Sequence, residues 1–99
     1  MPWITAAEQT GSGPVIYEIS FNRDIFFDPS PPFSKVQSLR TEGWIDSVDV
    51  AIVAPRTIEV LPFGSGPVSR IRYVHQPGPR IVDVAGDELP EYDVPLPFP

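Results

Sequence analysis

Asp83, Asp87 and Glu88 place three carboxylates, hard oxygen ligands, within six positions of this chain. Calcium takes six to eight oxygens, usually from a loop that alternates acidic residues with spacers. The run lacks that Asp-x-Asp-x-Asp pattern, so its chemistry reads as a structural turn rather than a metal site. Glycoside hydrolysis needs two carboxylates facing each other across a cleft. Asp46, Asp49 and Glu59 instead occupy alternating positions expected to point outward. His75 is the single histidine and has no Ser or Cys nucleophile in a recognisable context, so a surface strand-end histidine is expected rather than a general base. With no cysteine, a thiolate nucleophile, a disulfide scaffold and a sulfur-bound zinc site are excluded. The Gly-Ser-Gly-Pro turns at 11–14 and 64–67 lack the lysine and following helix of a phosphate loop. The inventory points to no catalytic residue, metal or cofactor.

The remaining chemistry is aromatic and apolar. Trp3, Trp44, Phe26, Phe27 and Phe33 raise the question of sugar binding through exposed rings. Trp44 and at least one phenylalanine are expected in the core, because a domain this small needs large side chains there. Phe26 and Phe27 are adjacent and cannot both face inward on one strand, so one of them is a contact candidate. Trp3 and Ile4 near one terminus, and Leu96 and Phe98 near the other, are the apolar anchors expected to dock on a partner.

Ninety-nine residues allow one domain, and 14 prolines stand far above the usual share of about 5%. The net charge of −6 argues against nucleic acid, where phosphates must be neutralised by clustered Lys and Arg, and against anionic membranes. Residues 81–99 hold five acids and no base, leaving −1 for residues 1–80. An acidic tail follows from this arithmetic, either solvated or laid across a basic partner. No apolar run reaches the ~20 residues of a membrane-spanning helix, and no signal peptide is expected at Met1–Thr5.

Periodicity supplies the elements. Val15, Tyr17, Ile19 and Phe21 alternate with polar positions as a half-buried strand does. Asp28-Pro29-Ser30-Pro31-Pro32 must be loop, since proline removes donors from a sheet. Lys35–Arg40 is a short strand, and Val48, Val50 and Ile52 form the inward face of another. Thr57–Leu61 returns as its hairpin partner. Ile71 and Tyr73 point inward with Arg70 and Arg72 outward, and Arg80–Val84 is a last short strand. Gly-Ser-Gly-Pro-Val occurs twice, at 11–15 and 64–68, and reads as the same turn chemistry launching two strands. Together these predict an all-β sandwich: an N-terminal arm over 1–14, the body over 15–89, and a proline-rich acidic C-terminal arm over 90–99.

Ile81-Val82-Asp83-Val84-Ala85-Gly86-Asp87-Glu88-Leu89, preceded by Ile71-Arg72-Tyr73, resembles the closing motif of bacterial Ig-like repeats. The strand ending Ile19-Ser20-Phe21-Asn22 resembles that family's first strand, and Thr57-Ile58-Glu59-Val60 a central one. In the motif Asp83 would accept backbone N–H groups of the turn, Gly86 would supply a left-handed residue, and Leu89 would return to the core. After Leu89 the prolines replace the family's last strand or force it to an edge.

The resemblance implies an Ig-like, non-enzymatic module. As a lone, cysteine-free domain it is expected in a phage virion, as a capsid decoration or stabilising subunit. Its partners would be the major capsid protein or other virion proteins, with a homo-oligomer as a further option. The alternative is an adhesion module holding a host glycan.

Overall fold

The computed structural model describes residues 4–12, 15–64 and 67–96. Nine strands run in chain order: β1 (Ile4–Ser12), β2 (Val15–Phe21), β3 (Ile25–Asp28), β4 (Val36–Arg40), β5 (Gly43–Ala54), β6 (Thr57–Pro62), β7 (Arg70–Tyr73), β8 (Arg80–Asp83) and β9 (Tyr92–Pro95). No helix occurs among the described residues. Seven strands form one antiparallel sheet in the order β1-β2-β6-β5-β4-β7-β9, and β3 pairs with β8 beside it. The long sheet bends round until it is nearly closed. Phe21 on β2 and Tyr92 on β9 meet there with ring centroids 6.1 Å apart.

The alternation in β2 places Tyr17, Ile19 and Phe21 in the core, as the period of two requires. Ile58 and Val60 of β6 and Ile71 and Tyr73 of β7 join them, with Arg70 and Arg72 facing outward. The interior is completed by Ile25, Val36, Val50, Ile81 and Leu89.

Four expectations are corrected. Residues 4–12 are not a projecting arm: β1 pairs with β2 from Ile4↔Phe21 to Ser12↔Val15. Ile4 and Ala7 both reach the core although they are three apart, because a register shift between Ile4 and Ala6 inserts one residue. β5 is a single twelve-residue strand, with register shifts between Ser47 and Asp49 and between Ile52 and Ala54. The first shift breaks the period of two, so Val48 is turned outward while Val50 is buried; Ile52 keeps the register of Val50, opposite Ile58, and is nevertheless exposed. Trp44 is not core; it lies half-buried on the outer face beneath the Arg72 guanidinium, 4.0 Å from the ring centroid.

The fourth correction concerns residues 90–99. Tyr92–Pro95 forms β9, a short edge strand on β7, so the prolines confine the last strand to an edge rather than abolish it. Val94 is buried and Leu96 packs against the core.

Candidate functional site

Among the described residues three groups of side chains stand out. The first is the corner after β8. Asp83 Oδ1 accepts the N–H groups of Ala85 at 2.9 Å and Asp87 at 3.0 Å. The Gly86 N–H donates to the Asp83 carbonyl at 3.0 Å, and Gly86 adopts φ +86°, where a Cβ is costly. Leu89 then returns to the core with its N–H on the Ile81 carbonyl at 2.8 Å. Asp83 Oδ2 is buried without a hydrogen bond, and its nearest cation is Arg23 at 3.7 Å. The carboxylate is thereby committed to its own turn. Among the described residues no three His, Cys, Asp or Glu converge as a metal-binding set.

The second is a polar cluster at the closing seam of the sheet. Lys35, only 2% exposed, sends its ammonium towards Glu88 Oε2 at 3.4 Å and the Gly78 carbonyl at 3.3 Å. The Tyr73 hydroxyl donates to the same Glu88 oxygen at 2.6 Å and accepts the Ile81 N–H at 3.1 Å. Tyr73 stacks on Tyr92 and meets the His75 ring edge-on. Burial alone would raise the Glu88 carboxyl. The Tyr73 hydrogen bond and the charges of Lys35 and His75 outweigh it and hold the carboxyl below its ordinary range. Burial, reinforced by the Glu88 hydrogen bond, pushes the Tyr73 hydroxyl well above its ordinary value; burial followed by the Tyr73 charge does the same for Tyr92.

This cluster has the residue types of a proton-transfer site, with its lysine and tyrosine buried. Lys35 is enclosed, and Tyr73 spends its hydrogen bonds on Glu88 and Ile81. His75 Nε2 lies 2.7 Å from the Leu89 carbonyl, which can only accept, so that nitrogen carries the proton and donates. The arrangement ties β4, β7 and the 87–91 segment together, with His75 as its exposed member.

The third group is the outer surface. Strand pairing aligns Trp44, Leu39, Arg70 and Pro95 in one cross-strand row and Asp46, Gln37, Arg72 and Asp93 in the next. Gln37 Nε2 donates to Asp46 and Arg72 Nε to Gln37, so these polar groups satisfy one another. Beside them an open groove of about 450 Å³ is lined by Trp44, Ile45, Asp46, Ser47, Val48 and Phe63. Phe63 is 64% exposed and Val48 50%. The bulge at Val48 is what turns that side chain out of the core. Phe63 is held by Arg40, which is buried and donates from Nε to the Phe63 carbonyl at 3.0 Å.

Of the sequence-derived contact residues, Phe26 is 47% exposed on β3 while Phe27 packs against the core, so Phe26 is the outward member of that pair. Ile4 and Leu96 are engaged within the molecule itself. Trp3 and Phe98 lie outside the described residues. Sequence reasoning missed the Val48–Phe63 groove because it depends on a bulge. It also missed the burial of Lys35, whose partner is 53 positions away.

The acidic tail is redistributed as well. Asp83, Glu88 and Asp93 pair with Arg23, Lys35 and Arg70. Asp87 and Glu91 form no ion pair among the described residues, and further carboxylates without counter-ions stand in one row of the sheet. Glu8 of β1 lies directly opposite Glu18 of β2, which lies directly opposite Glu59 of β6.

Searches against family models, curated proteins and solved structures found no match to this chain.

Proposed function

We propose that this protein is a non-enzymatic structural subunit that docks on a neighbouring protein through the groove formed by Trp44, Ile45, Val48 and Phe63. The single observation behind this reading is that groove. It gathers two large, strongly exposed apolar side chains on a rigid strand and a turn held by Arg40. Exposed apolar surface of this kind marks contact sites, and burying each large side chain contributes about 1.5–3 kcal/mol before ordering costs.

The assembly we assign it to is a phage particle, as a decoration or stabilising subunit on the shell, with an Ig-like kinship carried by the Asp83–Leu89 corner. Support for that setting comes from the sequence resemblance. Docking through the groove replaces the arm mechanism for Ile4 and Leu96, which are occupied in the protein's own core.

Purified particles from the source should contain the chain at a fixed ratio to the shell protein, and Phe63→Ser should lose its place while folding normally. A chain absent from particles, or a Phe63→Ser variant that stays fully incorporated, would overturn the reading. A glycan-binding role is favoured only by Phe26, and a glycan array with Phe26→Ala tests it.

A further inference from the structure

We propose that the open edge of β1 accepts a short β-strand from a partner protein, and that this strand carries a lysine or arginine opposite Glu8. The surface is distinct from the Trp44–Phe63 groove, so the proposal goes beyond the docking reading above and does not depend on it.

The sheet has two edges, and they are built differently. β9 is four residues long, contains Pro95 and follows Pro90; proline has no N–H to offer a new strand. β1 is nine residues long and has no proline. Among the described residues its backbone hydrogen bonds run to β2 alone, and Thr5, Ala6, Glu8, Gln9 and Thr10 are exposed. Its regular stretch is Ala6–Gln9, between two register shifts, so an added strand would pair over about four residues.

Charge then selects the occupant. Glu8, Glu18 and Glu59 stand in one cross-strand row, and like charges directly opposite one another are destabilising. Among the described residues none of the three carboxylates has a hydrogen bond or an ion pair. β1, β2, β5 and β6 contain no lysine or arginine. The seven bases of the chain are all committed elsewhere. Five form ion pairs away from this row, Arg72 covers Trp44, and Arg40 holds the Phe63 turn. The molecule thus keeps a repulsive row that ends at its open edge.

A second copy does not meet that need. A two-fold antiparallel pairing over Ala6–Gln9 would set Glu8 against Ala7, and β1 has no lysine or arginine to bring to the row. A cation from a different chain at that position would instead face Glu8 directly and extend the row with the opposite sign. Backbone hydrogen bonds would supply the attachment, and the charge would supply the choice of partner.

The test titrates the full ¹⁵N-labelled chain with capped nine-residue peptides of alternating Thr and Val, carrying either Lys or Glu at the centre. The Lys peptide should shift the amide signals of Ala6–Gln9, slow their hydrogen exchange, and bind about fivefold more tightly than the Glu peptide. Glu8→Lys should reverse that order with the rest of the spectrum unchanged. Equal binding of the two peptides, no response at β1, or a wild-type dimer joined through β1 would overturn the proposal. Shifts confined to Trp44 and Phe63 would overturn it too, while leaving the groove reading standing.

Discussion

Replacing Asp83 by alanine removes one acceptor that serves two N–H donors, from Ala85 and Asp87. Hydrogen bonds to a charged acceptor contribute about 1.5–3 kcal/mol each. The two donors are only partly buried, so water recovers some of that, and a loss of about 3 kcal/mol is expected. For a domain of 99 residues, at about 4–8 °C per kcal/mol, this lowers Tm by about 12–24 °C. Asp83→Asn keeps an acceptor for both donors but loses the attraction to Arg23 and places an NH2 group where buried Oδ2 makes no hydrogen bond. A smaller loss of about 1–2 kcal/mol is expected there. Gly86→Ala adds a Cβ at φ +86°, at about 1–2 kcal/mol. Because both residues hold the same turn, the double variant should lose less than the sum of the single losses. Urea denaturation followed by tryptophan fluorescence measures all four proteins. An Asp83→Ala loss below about 1 kcal/mol, with the amide signals of Ala85 and Asp87 unmoved, would refute the assignment of this carboxylate as the corner's organiser.

Glu88 is held below the ordinary carboxylate range, so the stability it provides is complete above its unfolded value of about 4.3 and is lost as pH falls through its lower folded value. Stability measured from pH 6 to pH 2 should decline along this limb in the wild type and more weakly in Glu88→Gln; identical slopes would count against the Lys35–Glu88–Tyr73 cluster as its source. Tyr73 and Tyr92 are both raised, so their contribution is complete below about pH 10 and is lost at higher pH, where the unfolded chain ionises first. Alkaline unfolding should begin later in Tyr92→Phe, whose replaced hydroxyl is buried without a partner, and an unchanged midpoint would contradict this.

What could be read from the sequence was local. The inward faces of β2, β6 and β7 follow directly from alternation. The Asp83 corner was legible because its donors, acceptor and glycine fall within five consecutive positions. What could not be read depended on insertions in register or on distant partners. β1 shows no alternation of large residues, since Ala7 replaces a bulky side chain and the bulge moves Ile4 out of phase. β5 looked like a clean period-two strand over Val48, Val50 and Ile52, but the bulge between Ser47 and Asp49 rotates Val48 away from the core. Lys35 has no local mark of burial, because its carboxylate comes from the far side of the fold. The charge arithmetic was correct as a sum, but three of the five carboxylates of residues 81–99 are paired, while Glu8, Glu18 and Glu59 in the body stand in a row without counter-ions.

The meeting of Phe21 with Tyr92, and of β3 with β8, also sets a schedule for biosynthesis. A ribosome releases β2 and β3 long before the segments that cover them. Until residues 80–95 have emerged, Ile25 lacks its strand partner and Phe21 its ring contact, so the interior stays wet. Such sequence-distant closures slow folding because the loop entropy is spent before the contacts return it. The early strands therefore remain an unfinished surface until residues 80–95 arrive to complete the core.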